Sequence, residues 1–168
     1  KLKWSDFKLI FKETIHGTGS VVLIIIAANV FGYYLSWEGI PQKLTSALLN
    51  LTTNKYAMLA LCNLILLVLG MFIEGGAAMI ISAPLLIPLV TQLGVDPLHF
   101  GMIVIVNIMI GGITPPFGSM MFTVCGITKC SINGFIKEVW PFIVALLIVL
   151  IIITYIPAVT TFIPELIG

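Results

Sequence analysis

The chain is predicted to be an all-α integral membrane protein, and three features of its sequence point there. Of its 168 residues, 60% are apolar and only 9% are charged, where a soluble domain carries about 25% charged residues. The charges gather into short clusters, separated by apolar runs close to the roughly 20 residues a helix needs to cross hydrocarbon. Eight basic and seven acidic side chains leave a formal charge of +1, too little to draw the whole molecule to a phosphate backbone. These figures exclude a soluble globular domain, a disordered tail and a nucleic-acid binder. The solvent they call for is the lipid bilayer.

Lys1, Lys3, Asp6, Lys8, Lys12 and Glu13 crowd the N-terminus, with Leu2, Phe7, Ile10 and Phe11 between them. That alternation predicts an amphipathic helix lying at the membrane surface. No charge then appears from Ile15 to Trp37, which predicts a first spanning helix with Tyr33, Tyr34 and Trp37 at the far interface. Glu38 to Lys55 mixes polar residues with Leu44, Leu48, Leu49 and Leu51 and reads as a second surface-lying helix. The opening Lys1-Leu2-Lys3-Trp4 lacks Met and the short apolar stretch of a signal peptide. It is therefore expected to belong to a piece of a larger membrane protein.

Tyr56 to Val95 holds a single charge, Glu74, followed by Gly75-Gly76. The two flanking runs of about 17 residues would each be about 25 Å long as helices, short for a full crossing. Two tight spanning helices and a re-entrant hairpin both fit, and both return the chain to the side it left. Gly94-Val95-Asp96-Pro97 predicts a turn, with Pro97 opening the next helix. Leu98 to Thr128 is free of charge but interrupted by Gly111-Gly112-Ile113-Thr114-Pro115-Pro116-Phe117-Gly118. Lys129 to Glu138 is expected to be a polar surface segment with a turn at Asn133-Gly134. A last span is expected from Pro141 to Ile163, between Trp140 and Pro164-Glu165. Counting crossings puts six of the eight lysines on one side, and the positive-inside rule makes that side cytoplasmic.

Two places break the rules for a membrane helix. Pro115 and Pro116 have no N–H and their rings clash with the preceding turn, and Thr114 is pushed out of helical geometry by the proline after it. The run is therefore expected to be two half-helices joined by unwound backbone, which lipid tolerates only against protein or a wet cavity. Its carbonyls and the Thr114 hydroxyl are oxygen ligands suited to a small hard cation such as Na⁺, favoured further by the negative end of the first half-helix. The plainer alternative is a proline kink repaired by neighbouring helices. Glu74 is the second exception. At mid-membrane it would cost roughly 3 kcal/mol and face a partner or water; in a surface loop it would cost little. Asn63 is expected to bond a neighbouring helix. Cys62, Cys125 and Cys130 show no CxxC pair or His cluster and read as small hydrophobes. No catalytic fingerprint is present, so the chain is not expected to be an enzyme.

The runs Leu69-Gly70-Met71-Phe72-Ile73-Glu74, Pro84-Leu85-Leu86-Ile87-Pro88, Gly94-Val95-Asp96-Pro97-Leu98-His99-Phe100-Gly101 and Gly112-Ile113-Thr114-Pro115-Pro116-Phe117-Gly118 together resemble the large membrane (M) subunit of tripartite ATP-independent periplasmic (TRAP) transporters. The likeness extends over essentially the whole chain, as the C-terminal half of that subunit. It implies an ion-transporter-type repeat with arm helices, a re-entrant helical hairpin and a broken transmembrane helix. Residues 1–55 would hold a surface helix, a span and an arm helix on the scaffold side. Residues 56–130 would be the moving hairpin and broken helix, and residues 131–168 an arm helix and the last span, again scaffold. Sodium, the co-transported ion, would lie by the backbone of Gly70, Gly111, Gly112 and Phe117 and by Thr114. Substrate would lie by Glu74, Gly75 and Gly76.

The resemblance further implies sodium-coupled import of an organic acid anion, of the sialic acid or C4-dicarboxylate class, by an elevator movement. Implied partners are the N-terminal repeat of the same subunit, a small membrane (Q) subunit and a periplasmic substrate-binding protein, with no organic cofactor. The implied location is a bacterial inner membrane, with the lysine-rich end cytoplasmic and the C-terminus periplasmic. A channel and a non-transporting membrane scaffold are the rival readings.

Overall fold

The computed structural model describes residues 4–167; Lys1 and Lys3 of the charged N-terminal cluster lie outside the described residues. Among these the chain forms eight α-helices and no strand. Helix α1 covers Trp4–Trp37, α2 Ile40–Leu51, α3 Lys55–Phe72, α4 Gly75–Gln92, α5 Pro97–Ile113, α6 Ser119–Thr128, α7 Ile132–Tyr155 and α8 Ala158–Ile167. Three of them, α3, α4 and α7, are long and apolar enough to cross a membrane. With the exposed Leu23, Val30, Phe142, Ile148 and Ile151, which present apolar surface outward, this is an all-α integral membrane protein.

Local chemistry explains most boundaries. Gly39 sits at φ 64, the left-handed region open to glycine, and Pro41 lies in the first turn of α2. Pro41, Thr45 and Leu48 form the buried stripe of that helix, which packs on α4. The Asn54 side chain accepts from the N–H groups of Tyr56 and Ala57 and caps α3. At the turn before α5, Gly94 has φ 68, the Asp96 carboxylate accepts from Leu98 and His99 N–H at 2.9 Å, and Pro97 opens the helix, as the sequence predicts. The Lys55 ammonium donates to the Gly94 carbonyl at 3.1 Å, tying the start of α3 to the end of α4.

The core sits between α3, α5 and α7. Met58, Cys62, Leu66, Phe100, Ile103 and Ile108 are sealed there. A polar ladder crosses it: Asn107 donates to Asn63 at 2.9 Å, Asn63 to the Thr154 hydroxyl at 2.9 Å, and Thr154 to the Leu150 carbonyl at 2.7 Å. Asn63 therefore bonds neighbouring helices, as expected. In hydrocarbon such side chains find partners only within the protein, so the Asn107–Asn63–Thr154 contacts also fix which faces of the three helices meet.

Three boundaries differ from the sequence reading. The charged residues from Asp6 to Glu13 and the expected first span lie on one continuous helix, α1, because nothing between Glu13 and Gly19 removes a backbone donor; glycine weakens a helix without ending it. The expected surface segment at 129–138 is already α7 from Ile132. Ser131 caps it by accepting from Gly134 N–H at 3.1 Å, so Asn133-Gly134 lies in the first turn of a helix. The last span ends at Tyr155 rather than Ile163. Pro157 lacks the N–H to continue it and disfavours helical geometry at Ile156, which sits at φ −122, ψ 83, after which α8 starts afresh.

Candidate functional site

The interrupted helix and the hairpin tip meet face to face. Helix α5 stops at Ile113, residues 114–118 are not helical, and α6 resumes at Ser119. Pro115 and Pro116 remove the donors that the Gly111 and Gly112 carbonyls would use four residues on. The Thr114 N–H turns back to the Gly111 carbonyl at 3.0 Å. Among the described residues no backbone N–H meets the Gly112 carbonyl. The Thr114 hydroxyl donates to the Ile110 carbonyl at 2.6 Å, which leaves its lone pairs, not its proton, for a ligand. A methyl group added at Gly118 would stand 2.7 Å from the Gly112 carbonyl oxygen and 2.9 Å from that of Thr114. Those two oxygens therefore crowd one point that only a glycine leaves open.

On the hairpin side, α3 and α4 are joined by Ile73 and Glu74. Helices α3 and α5 cross with their backbones in contact: a Cβ at Gly111 would lie 2.6 Å from the Gly70 carbonyl carbon and 2.9 Å from the Leu67 oxygen, and one at Gly70 would lie 3.0 Å from the Ile108 oxygen. Gly70 and Gly111 are thus required first for the crossing itself. Phe72 and Phe117 pack with ring centroids 5.5 Å apart and planes at 45°, joining the tip to the unwound segment. Gly75 packs against the Ile108 side chain.

Glu74 is exposed and caps α4, its carboxylate accepting from Ala77 N–H at 3.1 Å. The carboxylate folds over Gly76, where an added Cβ would come within 3.2 Å of it. It also lines a cavity of about 420 Å³ with Ser119, Met120, Thr123 and Val124 of α6, within the range typical of small-molecule sites. Gly118 gives α6 no side-chain cap, so the first N–H groups of that helix and the positive end of its dipole are left for a ligand.

The residues singled out in the sequence therefore come together in one region, each in a definite place. Gly70 and Gly111 form the crossing, Gly112 and Thr114 present oxygen, Phe117 locks onto Phe72, and Glu74 caps the first turn of α4, which Gly75 and Gly76 begin. Sequence reasoning missed Phe72, Ser119 and Thr123, none of which stands out by type in its run. It also missed Asn107, which the criterion applied to Asn63, a lone amide in an apolar run, would have found. Chemically, residues 111–119 are two-signed: carbonyl oxygens at the end of α5 for a cation, and N–H groups at the start of α6 for an anion.

Comparison with known proteins follows the same lines. The family model for the "Tripartite ATP-independent periplasmic transporter, DctM component" matches residues 1–159. The isethionate TRAP transporter permease protein DctMQ of Oleidesulfovibrio alaskensis is 42% identical over 147 residues, 87% of this chain and 23% of that protein. The sialic acid TRAP transporter large permease protein SiaM of Vibrio cholerae is 38% identical over 165 residues, 98% of this chain and 39% of that protein. The C4-dicarboxylate TRAP transporter large permease protein DctM of Rhodobacter capsulatus is 33% identical over 163 residues, 97% of this chain and 37% of that protein. The chain thus spans about a quarter to two fifths of the length of these curated relatives.

Proposed function

The chain belongs to the DctM component family of tripartite ATP-independent periplasmic transporters, and from that membership we propose that it forms part of a sodium-coupled importer of organic acid anions. The observation that carries this reading is the two-signed break facing the hairpin tip. Sodium is taken up first by the Gly112 carbonyl, the Thr114 hydroxyl and neighbouring backbone oxygens at the negative end of α5. Its charge steadies the hairpin tip, which is held to the break by the Gly70–Gly111 crossing and the Phe72–Phe117 pair. The acid group of the substrate then enters the cavity beside the uncapped start of α6. Glu74 would repel that anionic group if no cation were bound, so the order of binding has an electrostatic reason.

The loaded hairpin and broken helix then move across the bilayer as one body, in an elevator motion. Each elementary charge moved across 100 mV is worth about 2.3 kcal/mol, so inward sodium can drive an acidic substrate against its own charge. Relatives named for isethionate, sialic acid and C4-dicarboxylates support an organic anion as the cargo class. The remaining half of the site comes from the N-terminal repeat of the same subunit. A small Q subunit, foreshadowed by the name DctMQ, and a periplasmic binding protein complete the system. In a bacterial inner membrane, the lysine distribution supports an orientation with the N-terminal end cytoplasmic and the C-terminus periplasmic.

The test is uptake of labelled isethionate, sialic acid and C4-dicarboxylates by the complete transporter in proteoliposomes, with and without an inward sodium gradient. Uptake of at least one acid that collapses without sodium is expected. Transport of such acids at the same rate without sodium overturns the coupling.

A further inference from the structure

The short connection from the broken helix to α7 carries a pair of thiols that the transport reading does not use. Cys125 lies in the last turn of α6 and is buried, whereas Cys130 follows that helix and is exposed. Lys129 between them takes the left-handed conformation, φ 59, which turns the chain back so that the two sulfurs lie 3.4 Å apart. The Thr128 hydroxyl stands 3.2 Å from Cys130 Sγ and 2.8 Å from the Val124 carbonyl, and can turn its single proton to the sulfur. Only residues 129–131 join α6 to α7, and Ser131 is already fixed as the cap of α7. A bond between the sulfurs would tie the end of α6 to that joint.

We propose that Cys125 and Cys130 are a reversible redox pair, closed to a disulfide by hydroperoxides, that restrains the α6–α7 joint. The exposed Cys130 thiolate attacks one oxygen of the peroxide; the O–O bond breaks, the sulfur becomes a sulfenic acid and the other oxygen leaves, protonated, as alcohol or water. The Cys125 sulfur then attacks the sulfenic sulfur, the S–S bond forms, and hydroxide departs with the Cys125 proton as water. Two thiols and one hydroperoxide thus give one disulfide, one alcohol and one water. The hydroxyl of Thr128 and the neighbouring Cys125 thiol hold Cys130 below the ordinary thiol range, which suits it to be the attacking sulfur. The sulfurs must close by roughly 1.4 Å to reach disulfide length, and residue 130 lies outside any helix that would resist this. Cys62, fully buried, is an internal control that no peroxide should reach.

The experiment uses the complete transporter in proteoliposomes, treated with hydrogen peroxide, alkylated with iodoacetamide, digested and weighed by mass spectrometry. The expected product is a Cys125–Cys130 bridge, lighter by two hydrogens and reopened by dithiothreitol. Cys125→Ser should stop at a Cys130 sulfenic acid that dimedone traps, and Cys130→Ser should leave Cys125 reduced. Recovery of both thiols alkylated after peroxide, or of Cys130 overoxidised without a bridge, overturns the proposal. The effect on the joint rests on the transport reading: uptake should fall several-fold on oxidation, recover with dithiothreitol, and be insensitive to peroxide in Cys130→Ser. A bridge that forms without slowing uptake overturns the restraint. Because uptake is first measured in the reduced protein, its absence there would count against the transport reading and leave the thiol chemistry to be judged by mass alone.

Discussion

Two proline-bearing stretches of this chain behave in opposite ways. Helix α4 holds Pro84 and Pro88 and stays helical from Gly75 to Gln92; the run from Pro97 to Thr128 holds Pro115 and Pro116 and comes apart for five residues. The prolines of α4 stand four apart, so each lost hydrogen bond is flanked by intact ones. Adjacent prolines remove two successive donors, and at 111, 112 and 118 glycines offer no side chain to hold the turn closed. Spaced single prolines therefore leave a membrane helix continuous here, whereas a glycine-flanked double proline opens it. An opened segment presents oxygen and N–H groups that a continuous helix keeps for itself.

The strongest way to test that contrast is to undo it. Replacing Pro115 and Pro116 together by Ala restores donors for Gly111 and Gly112, so uptake should fall at least 10-fold while the melting temperature holds or rises. The matching pair Pro84→Ala and Pro88→Ala should leave uptake within about two-fold. Equal losses in the two double variants would erase the distinction. Next in size is Gly111→Leu, which drives a side chain into the Gly70 backbone. It should cost about 3 kcal/mol as overpacking that cannot relax, seen as a fall in melting temperature. Gly112→Ala should melt almost normally, because a Cβ there meets only the flexible Met120 side chain at 3.6 Å.

Glu74→Ala should cost about 1 kcal/mol through loss of the α4 cap. Glu74→Gln keeps an acceptor there and should regain most of that stability. If Gln also preserves uptake, the Glu74 charge has no part in ordering sodium before substrate. The smallest effect concerns Cys130. Because its neighbours lower its pKa, the thiolate persists as pH falls below the range of an ordinary thiol at about 8.5. Its alkylation rate should accordingly decline only at lower pH than that of a free cysteine, and Thr128→Ala should move the profile upward.

Much of this was legible in the sequence because it depends on what residues lack. Prolines without N–H groups marked the break, Gly94-Val95-Asp96-Pro97 marked the turn into α5, and absent charges marked the apolar helices. Less legible were features set by which surfaces meet. The double role of Gly70 and Gly111 appears only when α3 and α5 are laid across one another. Glu74 as a helix cap depends on a carboxylate folding back over Gly76, and the Cys125–Cys130 pair depends on one left-handed residue, Lys129. The end of α7 at Tyr155 was written in Pro157, which the long apolar run around it obscured.

The most direct measurement is the sodium dependence of substrate uptake by the complete transporter carrying Thr114→Ala, set beside the unaltered protein. Removing one oxygen ligand should raise the half-saturating sodium concentration roughly 10-fold, about 1.4 kcal/mol of sodium binding, with the maximal rate largely kept at saturating sodium. Superimposable sodium curves for the two proteins would contradict a cation site at the break between α5 and α6.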